Sequence, residues 1–315
     1  MNLAALPVTH NLLPFFVAIP LGSAFLVSLL GKKLRGFPDT FSNLTTFSLL
    51  SLSLLSLSLI KRFGTVVYRV GGWIPPIGIC MVLDSLTGLM LVTINLIAFI
   101  VTIYSISYMK RYTAKWKFYT LFLLMLAGMN GVIVTGDMFN LFVFLEIGAI
   151  SSYALVAFGV EHEELEASFK YTVMGSIASS FILLGIALLY SYTSSLNMAD
   201  ISRTLTQRGG GQVVFFVSVL FLVGFGLKAA LVPFHAWLPD AHPSAPAPIS
   251  AMLSGVLIKA LGVYALARIF FNVLGMTAIS SSILMVLGTV SMVIGGLLAL
   301  GQEDMKRLFA YSSIS

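Results

Sequence analysis

Three ionisable residues stand inside apolar runs, where a charge is costly: Glu146, Lys228 and Lys259. Glu146 lies in Asn140-Leu-Phe-Val-Phe-Leu-Glu146-Ile-Gly-Ala-Ile-Ser-Ser-Tyr153, with no opposite charge on its own helix. A charge at the centre of a span costs about 2.5–3.5 kcal/mol on insertion scales, so it is expected to face a bundle interior or a watery cavity. The plainer reading is a carboxylate that only fixes helix packing. Lys228 lies in Phe225-Gly-Leu-Lys228-Ala-Ala-Leu-Val-Pro233-Phe-His235, again within a span. Pro233 has no backbone donor, which predicts that the carbonyl of Ala229 loses its helical partner and that the helix breaks beside the lysine. Interrupted helices at membrane depth are tolerated where protein or water re-satisfies the backbone, and they commonly mark ion sites. A proline kink without function is the alternative. Lys259 lies in Gly255-Val-Leu-Ile-Lys259-Ala-Leu-Gly262-Val-Tyr264. Gly255 and Gly262 share its face at i−4 and i+3, leaving room for a close helix or for water. Two buried amines near one carboxylate make at least one lysine able to take and release protons near neutral pH, through desolvation and like-charge repulsion. That is what a proton relay requires.

His235 and His242 flank Trp237-Leu-Pro-Asp240 beyond the predicted break. Their imidazoles are candidates for passing protons between the lysines and one surface, against the reading of each as a hydrogen-bonded structural histidine. Pro243, Pro246 and Pro248 read as a rigid turn into the next helix, with Pro248 near its first position. Asp137 reads as a helix N-cap, Glu166 and Lys170 as an i,i+4 pair, and Asp84 as a residue near a membrane interface.

These residues need a bilayer-embedded frame, and the composition supplies it: 58% of the 315 residues are hydrophobic and only 10% are charged. Apolar runs predict spans at roughly 11–30, 42–60, 82–107, 117–135, 138–159, 167–192, 213–239, 247–272 and 281–300, with a tenth beginning near 304. The N-terminal run is read as the first span rather than a cleaved signal. The net charge of +6 resides in short clusters between spans, such as Lys32, Lys33 and Arg35, or Lys110, Arg111, Lys115 and Lys117, with Lys306 and Arg307 before the tenth. They read as topology signals favouring an outside N-terminus, and nucleic acid is not the implied partner. The polar connections Lys61 to Gly78 and Asn197 to Gln212, the latter closing on Gly209-Gly210-Gly211, are too short for a soluble domain. One transmembrane domain over 1–315 follows. One cysteine, Cys80, and four scattered histidines offer no disulfide and no metal ligand set, and no cofactor site is predicted. Any redox chemistry would belong to a partner.

Three motifs carry a resemblance: Gly136-Asp-Met-Phe-Asn-Leu-Phe-Val-Phe-Leu-Glu146, Leu227-Lys-Ala-Ala-Leu-Val-Pro-Phe-His-Ala-Trp-Leu-Pro-Asp-Ala-His242, and Asp304-Met-Lys-Arg-Leu-Phe-Ala-Tyr-Ser-Ser-Ile-Ser315. In this order they resemble the D-type subunits of Mrp-type cation/proton antiporters. They also resemble relatives of these in respiratory complex I and in membrane-bound hydrogenase and sulfane reductase complexes. The resemblance covers most of the chain from Asp84 onward. It implies an all-α polytopic bundle with inverted five-helix repeats, each with one discontinuous helix. Here the first repeat would occupy about 117–272, and 281–315 would begin an incomplete second. It also implies that Glu146 pairs with Lys228 and that Lys259 continues the path. The family's second broken helix would lie beyond Ser315, so the sequence reads as a truncated or split subunit. The function so implied is proton translocation, with Na+/H+ antiport as one form of it, within a multisubunit assembly in a prokaryotic cell membrane. The competing expectation is a structural or assembly subunit without a complete ion path of its own.

Overall fold

The computed structural model describes residues 11–315 except Arg35 and Gly210, so the parts assigned to those two residues in a basic cluster and a glycine turn lie outside the described residues. The chain forms two compact units, Met1–Ser152 and Tyr153–Ser315. Among the described residues, eight helices are long and apolar enough to cross a bilayer, and a shorter apolar one, Phe15–Leu30, precedes them. The chain is an integral membrane protein.

The first unit contains α1 (Phe15–Leu30), α2 (Phe37–Phe63), α3 (Ser85–Tyr108), α4 (Lys115–Val134) and most of α5 (Met138–Val156). Helix α2 is rich in serine and threonine, which suits a span only because the hydroxyls donate back into their own helix. Thr46 donates to the Ser42 carbonyl, Ser53 to Leu50 and Ser56 to Ser53. Helix α4 is central and largely buried. Its Asn130 exchanges side-chain bonds with Asn95 of α3 at 3.3 and 3.2 Å and donates to the Phe16 carbonyl of α1 at 3.2 Å. One satisfied polar node thereby joins three helices in apolar surroundings. At one end, Asp39 of α2 receives Lys115 Nζ at 3.2 Å and the Tyr119 hydroxyl at 2.8 Å from α4.

The connection between α2 and α3 adds an antiparallel hairpin, β1 (Val66–Arg69) with β2 (Cys80–Leu83), in the register Val66↔Leu83 to Arg69↔Cys80. It was not foreseen in an all-helical reading, and its hydropathy resembles that of a loop. Asp84 ends the hairpin and caps α3 by accepting from the Thr87 N–H at 2.9 Å. Asp137 caps α5 through the Asn140 N–H at 2.8 Å, as its position predicts.

The second unit contains α6 (His162–Thr193), α7 (Met198–Arg208), α8 (Gly211–Lys228), α9 (Leu238–Ser244), α10 (Ala247–Val273), α11 (Ala278–Leu300) and α12 (Met305–Ile314). Helix α7 replaces the expected irregular connection. Asn197 caps it, and Ile201 and Leu205 point into the protein from an otherwise polar helix. Helices α6 and α8 approach closely because Gly224 sits against the backbone of Ala178 and Ile182, while Gly185 makes room for the Phe221 ring.

The helix breaks beside the lysine, as expected. Helix α8 ends at Lys228, and Ala230 takes a left-handed conformation, φ 54°. The span expected over 213–239 is therefore a helix to Lys228, an irregular turn, and the short helix α9. The Leu227 carbonyl receives both the Ala230 N–H at 3.2 Å and the Trp237 indole N–H at 3.0 Å. Pro233 stands four residues beyond Ala229, where it has no N–H to continue the helical ladder.

Small residues set the helix spacing in the first unit too. A Cβ on Gly128 of α4 would run into the backbone of Gly148 on α5. Gly128→Val is expected to cost roughly 1–3 kcal/mol through overpacking. A thermal-shift measurement on detergent-purified protein checks this, and an unchanged midpoint would show that the two helices can separate freely.

Candidate functional site

Lys228 is the last residue of α8 and is buried, 6% exposed. Its ammonium donates to the Tyr153 hydroxyl at 3.2 Å and lies 5.8 Å from the centroid of that ring. The placement follows from the local fold. A lysine in mid-helix would present its side chain beside an unbroken backbone, whereas here the chain turns away at Ala230. The turn is satisfied by α8 and α11: Leu231 N–H donates back to Gly226 O of α8 at 3.0 Å, and Val232 N–H donates to the Ser291 hydroxyl of α11 at 3.0 Å. Gly262 of α10 admits the segment, since a Cβ there would collide with the backbone of Ala229. One of the two glycines flanking Lys259 thus serves close approach. The other, Gly255, lines a cavity.

Aromatic rings hold the tyrosine that meets Lys228. Tyr153 packs edge-on against Tyr171, with centroids 4.5 Å apart, and Tyr171 stacks on Trp237 at 4.2 Å with planes 3° apart. Gly175 leaves space for the Tyr153 hydroxyl, which any Cβ at that position would overlap. Ser168 donates to the Tyr153 carbonyl at 2.8 Å. The sequence reading missed Tyr153, because a tyrosine near the end of a span is unremarkable by type. Its spacing was the available signal: it lies seven residues, about two turns, beyond Glu146 on α5 and so shares a face with it. Glu146 itself is half-buried on α5.

Lys259 sits in α10, where wider π-helical turns occupy Leu253–Leu257, Lys259–Tyr264 and Arg268–Val273. Such turns disturb the regular ladder and recur at functional sites. The Lys259 ammonium donates to the Ser254 carbonyl at 2.6 Å, five residues back along its own helix. The Ser254 hydroxyl in turn shares a hydrogen bond with that of Ser313 on α12.

His242 is 4% exposed on α9, and its Nδ1 has no hydrogen-bond partner among the described residues. It lines a cavity of about 390 Å3 together with Ser250, Ser254, Lys306 and Ser313. Outside the spans proper, its imidazole is pushed down to about 4, by burial first and then by the charges of Lys306 and Lys259, with Asp304 opposing. At neutral pH the ring is therefore uncharged. His235 stands on the turn after Pro233, also with a buried Nδ1 lacking a partner among the described residues, and it does not line this cavity. The cavity thus brings His242 and Lys306 together, with Lys259 near enough for its charge to act on the ring, and His235 does not line it.

Lys306 was read as part of a topology cluster with Arg307. Its side chain instead turns inward and donates to the carbonyls of Pro243 and Ala245, both at 2.8 Å. These carbonyls lie at the end of α9 and just past it, where a helix offers acceptors without internal donors. On the other side, Lys170 of α6 joins Glu166 and Asp240 at 2.9 Å each. The Glu166 pair is the one expected at i,i+4. These groups are about half exposed, so they orient α9 more than they stabilise it.

Known proteins share the sequence and fold of this chain over nearly its whole length. The model of the NADH:quinone oxidoreductase/Mrp antiporter transmembrane family matches residues 135–315. The N-terminal model of complex I chain 5 matches residues 73–119. The N-type subunit of the NADH-quinone oxidoreductase of Desulforudis audaxviator is 36% identical over 99% of this chain and 62% of its own length. The D-type subunit of the Na+/H+ antiporter of Alkalihalophilus pseudofirmus is 32% identical over 100% and 62%. Among solved structures, a chain of an archaeal membrane-bound sulfane sulfur reductase superposes with a TM-score of 0.89 at 37% identity, covering 96% of this chain and 62% of that one. A chain of the Mrp complex of Dietzia sp. gives 0.89 at 28% identity, covering 98% and 57%. The chain therefore spans about three-fifths of the length of the relatives it matches, and it belongs to the NADH:quinone oxidoreductase/Mrp antiporter transmembrane family.

Proposed function

We propose that this chain is a proton-translocating subunit of a multisubunit membrane complex, and that Glu146, Lys228, Lys259, His235 and His242 carry protons through it. The observation that carries this reading is the Lys228 ammonium. It is buried at the end of an interrupted helix and held by the Tyr153 hydroxyl rather than lost in apolar packing. A lysine so placed can change its protonation when a neighbouring charge moves, which arginine could not do. In the proposed cycle, a proton arriving near Lys228 alters the charge felt by Lys259, which passes a proton toward His242. The residues of about 117–272 form the first five-helix repeat in this reading. Other membrane subunits complete the assembly, as in the Mrp complex and the sulfane sulfur reductase whose chains superpose on this one. The Na+/H+ antiporter to which one relative belongs by name makes Na+ the counter-ion to consider, within a prokaryotic cell membrane.

Proton flux into vesicles carrying the assembled complex, driven by an imposed membrane potential, tests the relay. Lys228→Met, Glu146→Gln and Lys259→Met are each expected to lower flux on the order of 10²-fold, the scale on which proton-transfer groups act. Native gels run in parallel report assembly. Wild-type flux through all three variants would sink the relay. Loss of assembly in step with loss of flux would favour a scaffold role.

Tyr153→Phe removes only the hydroxyl that receives Lys228. A hydrogen bond to a charged group contributes about 1.5 kcal/mol or more, so flux should fall about tenfold. The same vesicle assay reads it, and a wild-type rate would mean that Tyr153 only packs.

A further inference from the structure

The cavity beside His242 has a composition that the relay alone does not explain. Its charged lining is basic, its other polar groups are serine hydroxyls, and its histidine is nine-tenths buried with an unpartnered nitrogen. Lys306 has no carboxylate partner among the described ion pairs, and it spends its donors on two carbonyls at the end of α9. A lysine there does two physical things at once. It fixes the helix that carries His242, and it places a permanent positive charge beside the imidazole.

We propose that Lys306 is a positioning residue that keeps His242 uncharged, so that the cavity serves as a proton chamber at the exit of the path from Lys259. The proposal rests on the relay reading above. A neutral imidazole accepts a proton on one nitrogen and releases one from the other, so it passes protons without retaining them. The Ser254–Ser313 hydroxyl pair extends the route from Lys259, whose ammonium already donates to the Ser254 carbonyl. An imidazole that charged readily would hold its proton and repel the next one arriving. The groups facing it agree with this assignment. Lys306 and Asp304 belong to α12 and its cap, Lys259 belongs to α10, and the Lys170, Glu166 and Asp240 cluster lies where α6 meets α9. Only Asp304 among the groups acting on the ring favours the charged form.

Removing the Lys306 charge raises the proton affinity of His242 toward the ordinary histidine value, so the ring charges at milder acidity. Proton flux through vesicles carrying the assembled complex is measured from pH 8 down to pH 5 in wild type, Lys306→Met, Lys306→Arg and Lys306→Met/His242→Gln. Lys306→Met is expected to lose flux on acidification with a midpoint displaced upward by on the order of one pH unit. Lys306→Arg should restore the wild-type profile, and the double variant should lack the displaced limb. A wild-type profile for Lys306→Met in a complex that still assembles overturns the proposal. So does a displaced limb that survives His242→Gln. If Lys306→Met fails to assemble, Lys306→Gln with the same readouts decides. Wild-type flux through Lys228→Met, Glu146→Gln and Lys259→Met removes the relay itself, whereas an unshifted limb beside inactive relay variants removes only the role of Lys306.

Discussion

In a hydrocarbon layer every backbone N–H and C=O must find a partner within the protein, and the break after Lys228 is where this constraint is hardest to meet. A continuous helix would satisfy it automatically and leave no irregular surface on which to hold an amine. The second unit instead supplies partners one at a time. The Trp237 indole takes the Leu227 carbonyl, the Ser291 hydroxyl takes the Val232 N–H, and Leu231 reaches back to Gly226. Each partner comes from a different segment. The break therefore exists only when the turn, α8 and α11 are all in place.

That dependence explains why small and aromatic residues gather around it. Gly262 lets the backbone at Ala229 approach α10, and Gly175 gives up its side-chain volume to the Tyr153 hydroxyl. The stacked Tyr171 and Trp237 rings couple the position of Tyr153 to the same tryptophan that caps Leu227. Geometry at the amine and satisfaction of the broken backbone are thus one packing problem. A change in either is transmitted to the other through rigid rings rather than flexible chains.

The spans were legible because lipid imposes one strong rule on composition, and their predicted positions match the helices observed apart from 213–239, which is a continuous helix only to Lys228. Glu146, Lys228 and Lys259 were legible as charges inside spans because such residues are costly, although their part in a relay is a proposal. The break beside Lys228 was legible through Pro233, but the backbone conformation of the turn was not. Pro233 announces itself in the sequence, while the left-handed Ala230 that actually ends α8 carries no mark, since alanine is an ordinary helix former. Lys306 was hidden for a different reason. Beside Arg307, ahead of an apolar run, it matches the pattern of a topology signal, and only the fold shows that α9 ends within its reach. The hairpin over Val66–Leu83 was missed because two four-residue strands are too short for alternation to stand out.

The charges of the second unit follow a consistent division. Its carboxylates Glu166 and Asp240 lie at its margin with Lys170, where water shares the burden of neutralising them. Among its deeper groups, the Lys228 ammonium donates to a phenol, and the ammonium groups of Lys259 and Lys306 donate to carbonyls. The groups that line the His242 cavity are Lys306, the imidazole, serine hydroxyls and apolar side chains, with no carboxylate among them. Each of the three lysines is tied to a facing ring, a helix turn or a helix end, so the break after Lys228, the wide turns of α10 and the end of α9 fix the positions of the amines as well as the backbone.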